Sequence, residues 1–144
     1  MKVFYKIHQF MLALERSLQR ELAQNCPQVT FSQFMFLLVI QKHPESSQKI
    51  IADARQLTPA AISRQIEILI KKGWVVREKT SYSKREYILS LTPQGKKLLE
   101  QAKKVLDKQR NRIFEDVDYK ELDQVEKIID KWLKKIIGDN IKTK

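Results

Sequence analysis

A mainly α-helical fold carrying one small β-hairpin is what this 144-residue sequence predicts, on three observations. Apolar residues recur at three- and four-residue steps along most of the chain, the spacing of amphipathic helices. Only three Gly and four Pro interrupt it, too few for a turn-rich β protein. Between Trp74 and Leu91 the pattern changes to two short runs rich in β-branched and aromatic residues. The length suits one compact domain with helical extensions, and 42% apolar against 31% charged residues excludes a disordered chain.

The first helix is expected from about Phe4 to Gln24, where Phe4, Ile7, Met11, Leu14, Leu18 and Leu22 share a face before Pro27. A second runs from Thr30, as N-cap, to Lys42, and His43-Pro44 stops it. Its apolar residues go nearly all round, so it belongs in the centre. After Glu45-Ser46-Ser47, a short helix spans Gln48 to Ala54 and Arg55-Gln56-Leu57 form a turn. Thr58-Pro59 restarts the helix: the Thr side chain satisfies a free N–H, and Pro at the first helical position forfeits none. The stripe Ile62, Ile66, Leu69 and Ile70 then ends at Gly73, a residue suited to a helix C-terminus. Two short helices joined by a three-residue turn make a helix-turn-helix.

Trp74 to Lys79 and Arg85 to Leu91 read as strands, with Thr80 to Lys84 as the polar loop between them. No Asn-Gly or Asp-Gly is present, so a tight two-residue turn is not expected. Thr92-Pro93 repeats the cap-and-proline start and opens a long helix from Pro93 to about Phe114. A last helix, Tyr119 to Ile137, aligns Leu122, Val125, Ile129, Trp132, Leu133 and Ile136 and ends near Gly138.

The formal net charge is +11, and it is unevenly distributed. Residues 1–54 carry +2, residues 55–112 carry +10, and residues 113–144 carry −1. A charge gathered on one stretch marks a polyanion-binding surface, whereas a charge spread evenly would only aid solubility.

Several function classes are excluded. The most apolar stretch, Phe31 to Ile40, is too short to span a bilayer, and the N-terminus has no uninterrupted signal core, so a cytoplasmic protein is expected. Cys26 is the single cysteine, which rules out an intramolecular disulfide and multi-cysteine zinc sites. His8 and His43 stand apart from other ligands. There is no Gly-rich phosphate loop, no His-containing metal motif and no nucleophile elbow, and Asp116 and Asp118 read as a helix start. No catalytic residue, metal or cofactor is therefore expected.

A helix-turn-helix followed at once by a basic hairpin is a winged helix, whose second helix fits the DNA major groove while the hairpin reaches the adjacent backbone or minor groove. With Ile62, Ile66 and Leu69 facing inward, Ala60, Arg64, Glu67 and Lys71 point outward, flanked by Ala61, Ser63, Gln65 and Ile68. Small residues at the helix start allow close approach, and Arg64 and Gln65 can hydrogen-bond bases or phosphates. The wing offers Lys79, Tyr82, Ser83, Lys84 and Arg85. Arg85 suits a narrow minor groove, with Lys79 and Lys84 on phosphates. The competing readings are a solvated basic surface and a winged helix that docks an acidic protein without specific DNA binding.

The run Ile51-Ala52, Leu57-Thr58, Ile62-Ser63-Arg64, Leu69, Lys71-Lys72-Gly73, Arg77, Lys84-Arg85, Leu91-Thr92 and Gly95 resembles the MarR family of winged-helix transcriptional regulators over about residues 31–100. The resemblance implies a homodimer whose first and last two helices intertwine. It also implies binding of a palindromic operator through Thr58, through Pro59 to Gln65 and through the wing, with Arg85 matching the wing arginine. Residues 1–29 and 113–144 would then be dimerisation helices, and residues 30–112 the winged helix with its linking helix, in a single intertwined domain. Phe4, Phe10, Phe114 and Trp132 exceed what a compact winged helix can cover, which independently suggests a second copy. Repression is the expected mode, because occupancy of a promoter blocks polymerase without further contacts.

Many members of the family release DNA when a small molecule binds or a cysteine is oxidised, so a small-molecule effector is among the expected partners. Cys26, with no Lys, Arg or second Cys close by in sequence, reads as a packed thiol. Two features depart from the family pattern. Ser83 stands where an acid usually precedes the wing arginine, and Arg55-Gln56 stand where an apolar residue and a glycine are usual.

Overall fold

The computed structural model describes residues 1–44, 47–80 and 83–138, and of residues 80 and 83–86 it describes the backbone alone. The described elements are α1 (Lys2–Asn25), α2 (Phe31–Lys42), α3 (Gln48–Ala54), α4 (Pro59–Lys71), β1 (Val75–Thr80), β2 (Ser83–Leu91), α5 (Pro93–Phe114) and α6 (Tyr119–Ile137). They fall into two compact units, Met1–Gln109 and Arg110–Lys144.

The first unit is organised around α2. Thr30 and Gln33 form a capping box there: the Gln33 N–H donates to Thr30 Oγ1 at 3.1 Å, and the Thr30 N–H donates to Gln33 Oε1 at 3.0 Å. Phe34, Phe36, Leu37 and Ile40 are buried on several sides of the helix, as its all-round apolar pattern requires. Around them gather Leu22 and Cys26 from the end of α1, Ile51 of α3, Ile62, Ile66 and Leu69 of α4, and Leu98, Leu99 and Ala102 of α5. Each fully buried Leu or Ile contributes about 1.5–3 kcal/mol. Three side-chain bonds join distant helices: the Phe31 N–H donates to Gln19 Oε1 at 2.7 Å, Gln109 Nε2 donates to Ser17 Oγ at 2.7 Å, and Lys103 Nζ donates to Gln41 Oε1 at 2.8 Å. The first half of α1 differs from the second, with Phe4 70% and Phe10 49% exposed.

Ser47 has two roles. Its hydroxyl accepts from the Ile50 N–H at 3.4 Å to cap α3, and its backbone bridges Ile88 of β2. The hairpin is thereby attached to the helix-turn-helix at a point distant in sequence.

The hairpin corrects two sequence expectations. Thr80 to Lys84 do not form a loop: Thr80 ends β1 and Ser83 begins β2, paired with each other. Only residues 81 and 82, outside the described residues, separate that pair, so the connection is shorter than the lack of a turn dipeptide suggested. The ladder accommodates this by a slip, since Lys79 pairs with Tyr87 but the next residue, Thr80, pairs with Ser83. Such an irregularity supplies local twist without demanding Asn-Gly, and cross-strand pairing extends strands beyond what local propensity indicates. Trp74 lies outside β1 because its N–H is engaged by the end of α4, at 3.1 Å from Leu69 O.

In the second unit, Asp118 caps α6 by accepting from the Lys120 N–H at 3.3 Å, while its own N–H donates to Glu121 Oε2 at 3.4 Å. Asp118 is thus a helix cap, the role its sequence context suggested. No residue of α6 is buried, and Ile129, Trp132 and Ile136 of its apolar stripe are 46%, 41% and 80% exposed.

Candidate nucleic-acid interface

The interface is built on α4. Thr58 starts it, with Oγ1 accepting from the Ala61 N–H at 3.2 Å and Pro59 in the first turn. Ile62, Ile66 and Leu69 are at most 1% exposed and fix the rotation of the helix about its axis. That rotation sets Thr58, Pro59, Ala60 and Arg64 in the open, with Ala61, Ser63 and Gln65 half-buried at the edges. Glu67 and Lys71 are exposed on the same outward face, as is Ile68. The recognition-helix residues expected from sequence therefore lie together at one end of one helix.

A Schellman motif ends α4. The Trp74 N–H donates to Leu69 O at 3.1 Å, the Gly73 N–H donates to Ile70 O at 2.9 Å, and Gly73 adopts φ +76°. The chain leaves directly into β1, so the wing follows the recognition helix without slack. Lys79 is exposed near the far end of β1. Ser83, Lys84 and Arg85 belong to β2 by their backbone, their side chains lying outside the description, and Tyr82 lies outside the described residues.

A connection between helix and wing escaped the sequence reading. Arg77 of β1 donates from Nη2 to Glu67 Oε1 of α4 at 2.6 Å, and its guanidinium carbon lies 5.2 Å from the Tyr87 ring centroid on β2. One arginine thus touches the recognition helix and both wing strands. It also sets a positive charge beside the only acid on the outward face of α4. No spacing rule signals this contact, because the partners lie in different elements on either side of a helix terminus.

The turn between α3 and α4 is unusual as well. Gln56 adopts φ +56°, the left-handed region that glycine occupies freely and other residues at a cost. The glycine usual in the resembling family has that conformational reason. Arg55 beside it is half-buried, with its guanidinium carbon 4.8 Å from the Phe36 ring centroid. Burial lowers its pKa, and the charge of Glu15 opposes that shift.

Cys26 is 3% exposed, and burial pushes its thiol up, away from the reactive thiolate. Among the described residues, no cluster of three or more His, Cys, Asp or Glu is placed to hold a metal, and no helix is long and apolar enough to cross a membrane.

The family model for the MarR family matches residues 28–86, the segment that holds α2 to the wing. Over those residues the chain is similar to the MarR family. A curated relative, the HTH-type transcriptional regulator BilQ of Clostridium symbiosum, is 25% identical over 122 residues, covering 85% of this chain and 81% of that protein. Among solved structures, the MarR/EmrR family regulator from Acinetobacter sp. ADP1 superposes with a TM-score of 0.82 at 22% identity, over 94% of each chain. A mutant MarR from E. coli, solved in complex with operator DNA, matches with a TM-score of 0.81 at 22% identity, over 92% of this chain and 94% of that one. These likenesses of fold reach well beyond the residues that the family model matches.

Proposed function

We propose that this chain is a sequence-specific DNA-binding transcriptional regulator, acting as a homodimeric repressor on a palindromic operator. The observation that carries the reading is the exposed end of α4, where Thr58, Pro59, Ala60 and Arg64 stand clear of a helix locked by Ile62, Ile66 and Leu69. The clustering of +10 on residues 55–112 supports it, since phosphate neutralisation supplies most of the non-specific affinity for DNA. The E. coli relative bound to operator DNA supports it from outside the chain.

In this reading Arg64 and Gln65 address base edges, Ala60, Ala61 and Ser63 permit the approach, and Lys79, Lys84 and Arg85 contact the backbone and minor groove, with Tyr82 and Ser83 between them. The exposed Phe4, Phe10 and Met11 of α1, and Ile129, Trp132 and Ile136 of α6, are the surfaces a second copy would cover. A two-fold dimer sets two recognition helices one DNA turn apart. Response to a small-molecule effector fits the resemblance to this family and would act by changing that spacing. The role is regulatory rather than enzymatic, and its setting is the cytoplasm.

A gel shift with DNA from upstream of the protein's own coding region tests the reading. Retardation that survives a large excess of random DNA is the expected result. Loss of all retardation under that competition would discard specific DNA binding in favour of a protein-docking winged helix. Sedimentation of the free protein as a monomer at micromolar concentration would discard the dimer.

A further inference from the structure

The recognition helix and wing leave half of the clustered basic charge unused. Residues 55–112 carry +10, and residues 93–112 account for seven of the fifteen Lys and Arg and two of the five acids in that stretch, or +5. Those seven cations all lie on α5. Lys97, Lys104 and Lys108 recur there at seven- and four-residue steps, so with Gln101 between them they share one exposed face of the helix. None of the three takes part in the ion pairs of the described residues, which join Arg77 to Glu67, Lys103 to Glu100 and Lys127 to Asp123. Glu100 borders the stripe, but Lys103 engages it at 3.4 Å.

Lys72, just past the end of α4, continues the stripe, since it lines the same cleft as Lys97 and Gln101. Its Nζ stands 4.8 Å from the Trp74 ring centroid, a contact that keeps its hydrogen-bonding capacity for an outside acceptor. From Lys97 to Lys108 the face is about 16 Å long, a length over which one strand of duplex DNA presents about five phosphates. Lys72 lies about 20 Å along α4 from Thr58, at the opposite end of the recognition helix from the residues assigned to bases. Bases find nothing to stack on here. Trp74 is 6% exposed, and Phe114, the one aromatic residue of α5, ends that helix. A single strand draws its hold from such stacking platforms, so the surface suits the backbone of a duplex.

We propose that this face of α5, with Lys72, is a second phosphate-binding surface, which holds duplex DNA outside the segment addressed by α4 and the wing. Its lysines act as point charges on the backbone and read no sequence. They add affinity and salt dependence without adding specificity. The choice of duplex DNA over another polyanion rests on the regulatory function proposed above, whereas the surface itself uses none of the residues from Thr58 to Gln65 or on the wing.

The test combines Lys97→Gln, Lys104→Gln and Lys108→Gln in one chain and measures fluorescence anisotropy over a NaCl series, on random-sequence duplexes of about 15 and about 45 bp. A control chain carries Lys120→Gln, Lys131→Gln and Lys134→Gln, three exposed lysines of α6, for the same change in net charge. The α5 variant is expected to lose about 2–3 from the slope of log affinity against log salt, and the α6 control to keep the parent slope. A loss confined to the longer duplex places the surface on DNA flanking the segment at α4. A loss on both lengths, with one more duplex bound per parent chain at saturation, assigns a separate duplex, and either result supports the surface. An unaltered slope in the α5 variant, or an equal loss in the α6 control, would overturn it. Poly-L-glutamate bound as tightly as the duplex, and released by the same three substitutions, would overturn DNA as the occupant in favour of an acidic protein. Because the duplexes are random in sequence, a failed operator gel shift beside a lysine-dependent slope would discard the operator and leave this surface standing.

Discussion

Arg77 and Glu67 are joined at 2.6 Å across the boundary between wing and recognition helix, ten positions apart in sequence. On the surface proposed to meet phosphates, an uncompensated acid would repel them. Here the acid is neutralised by an arginine that also lies over Tyr87. The side chains are 23% and 50% exposed, so solvent screening keeps the stabilisation small and the main effect is geometric.

A double-mutant cycle with Glu67→Ala and Arg77→Ala, followed by urea denaturation, should give a coupling energy of about 0.5–1 kcal/mol. Arg77→Ala alone should cost more than Glu67→Ala alone, because it also removes the contact with the Tyr87 ring. A coupling indistinguishable from zero would reduce the pair to an incidental surface contact.

On DNA, Arg85→Ala should weaken operator binding by about 1–3 kcal/mol and leave the dimer intact, as measured by fluorescence anisotropy and sedimentation. Lys79→Ala should weaken binding to all sequences alike and reduce the salt slope by about one. Unchanged operator affinity in the Arg85 variant would remove that residue from the wing assignment.

Gln56→Gly should stabilise the protein by about 1 kcal/mol. The φ of +56° carries a left-handed penalty of about 1–2 kcal/mol for a non-glycine residue, partly offset by the greater freedom of glycine in the unfolded chain. A lower Tm in the variant would mean that the Gln56 side chain contributes more than its backbone costs.

Gly95→Ala should be strongly destabilising, by about 3 kcal/mol or more. A Cβ on Gly95 would lie 2.1 Å from the Trp74 carbonyl oxygen, a backbone atom that cannot swing aside. A Tm within a degree of the parent protein would show that α5 can shift to relieve the clash.

Cys26 should react with a thiol reagent at least about tenfold more slowly in the native protein than in urea, because burial both blocks access and raises its pKa. The sign for stability follows. The folded state favours the neutral thiol, so the contribution of Cys26 is complete below the ordinary thiol pKa and is lost as pH rises through the raised folded value. Equal rates in both states would return Cys26 to the list of candidate sensors.

Helix boundaries were legible wherever a cap or breaker marked them. Thr30, Ser47, Thr58 and Asp118 all accept backbone N–H groups at helix starts, and Gly73 closes α4 with a positive φ. The recognition helix was legible for the same reason, since the Ile62, Ile66 and Leu69 period fixes which residues face outward. The hairpin was less so: its pairing of Thr80 with Ser83 depends on partners across the ladder, which local composition does not encode. Nor do local patterns reveal the tie from Arg77 to Glu67 or the bridge from Ser47 to Ile88, which exist only once separate elements are brought together.

The Thr92 hydroxyl donates to Gly73 O at 2.6 Å and accepts from the Gly95 N–H at 3.0 Å, while the Thr92 N–H donates to Trp74 O at 3.0 Å. The residues that follow the recognition helix and the first of α5 are therefore stitched through a single threonine, and Gly95 lets the two backbones touch there. The exit of α4 and the entry of α5 thus share one set of hydrogen bonds, so neither can be displaced alone without breaking some of them.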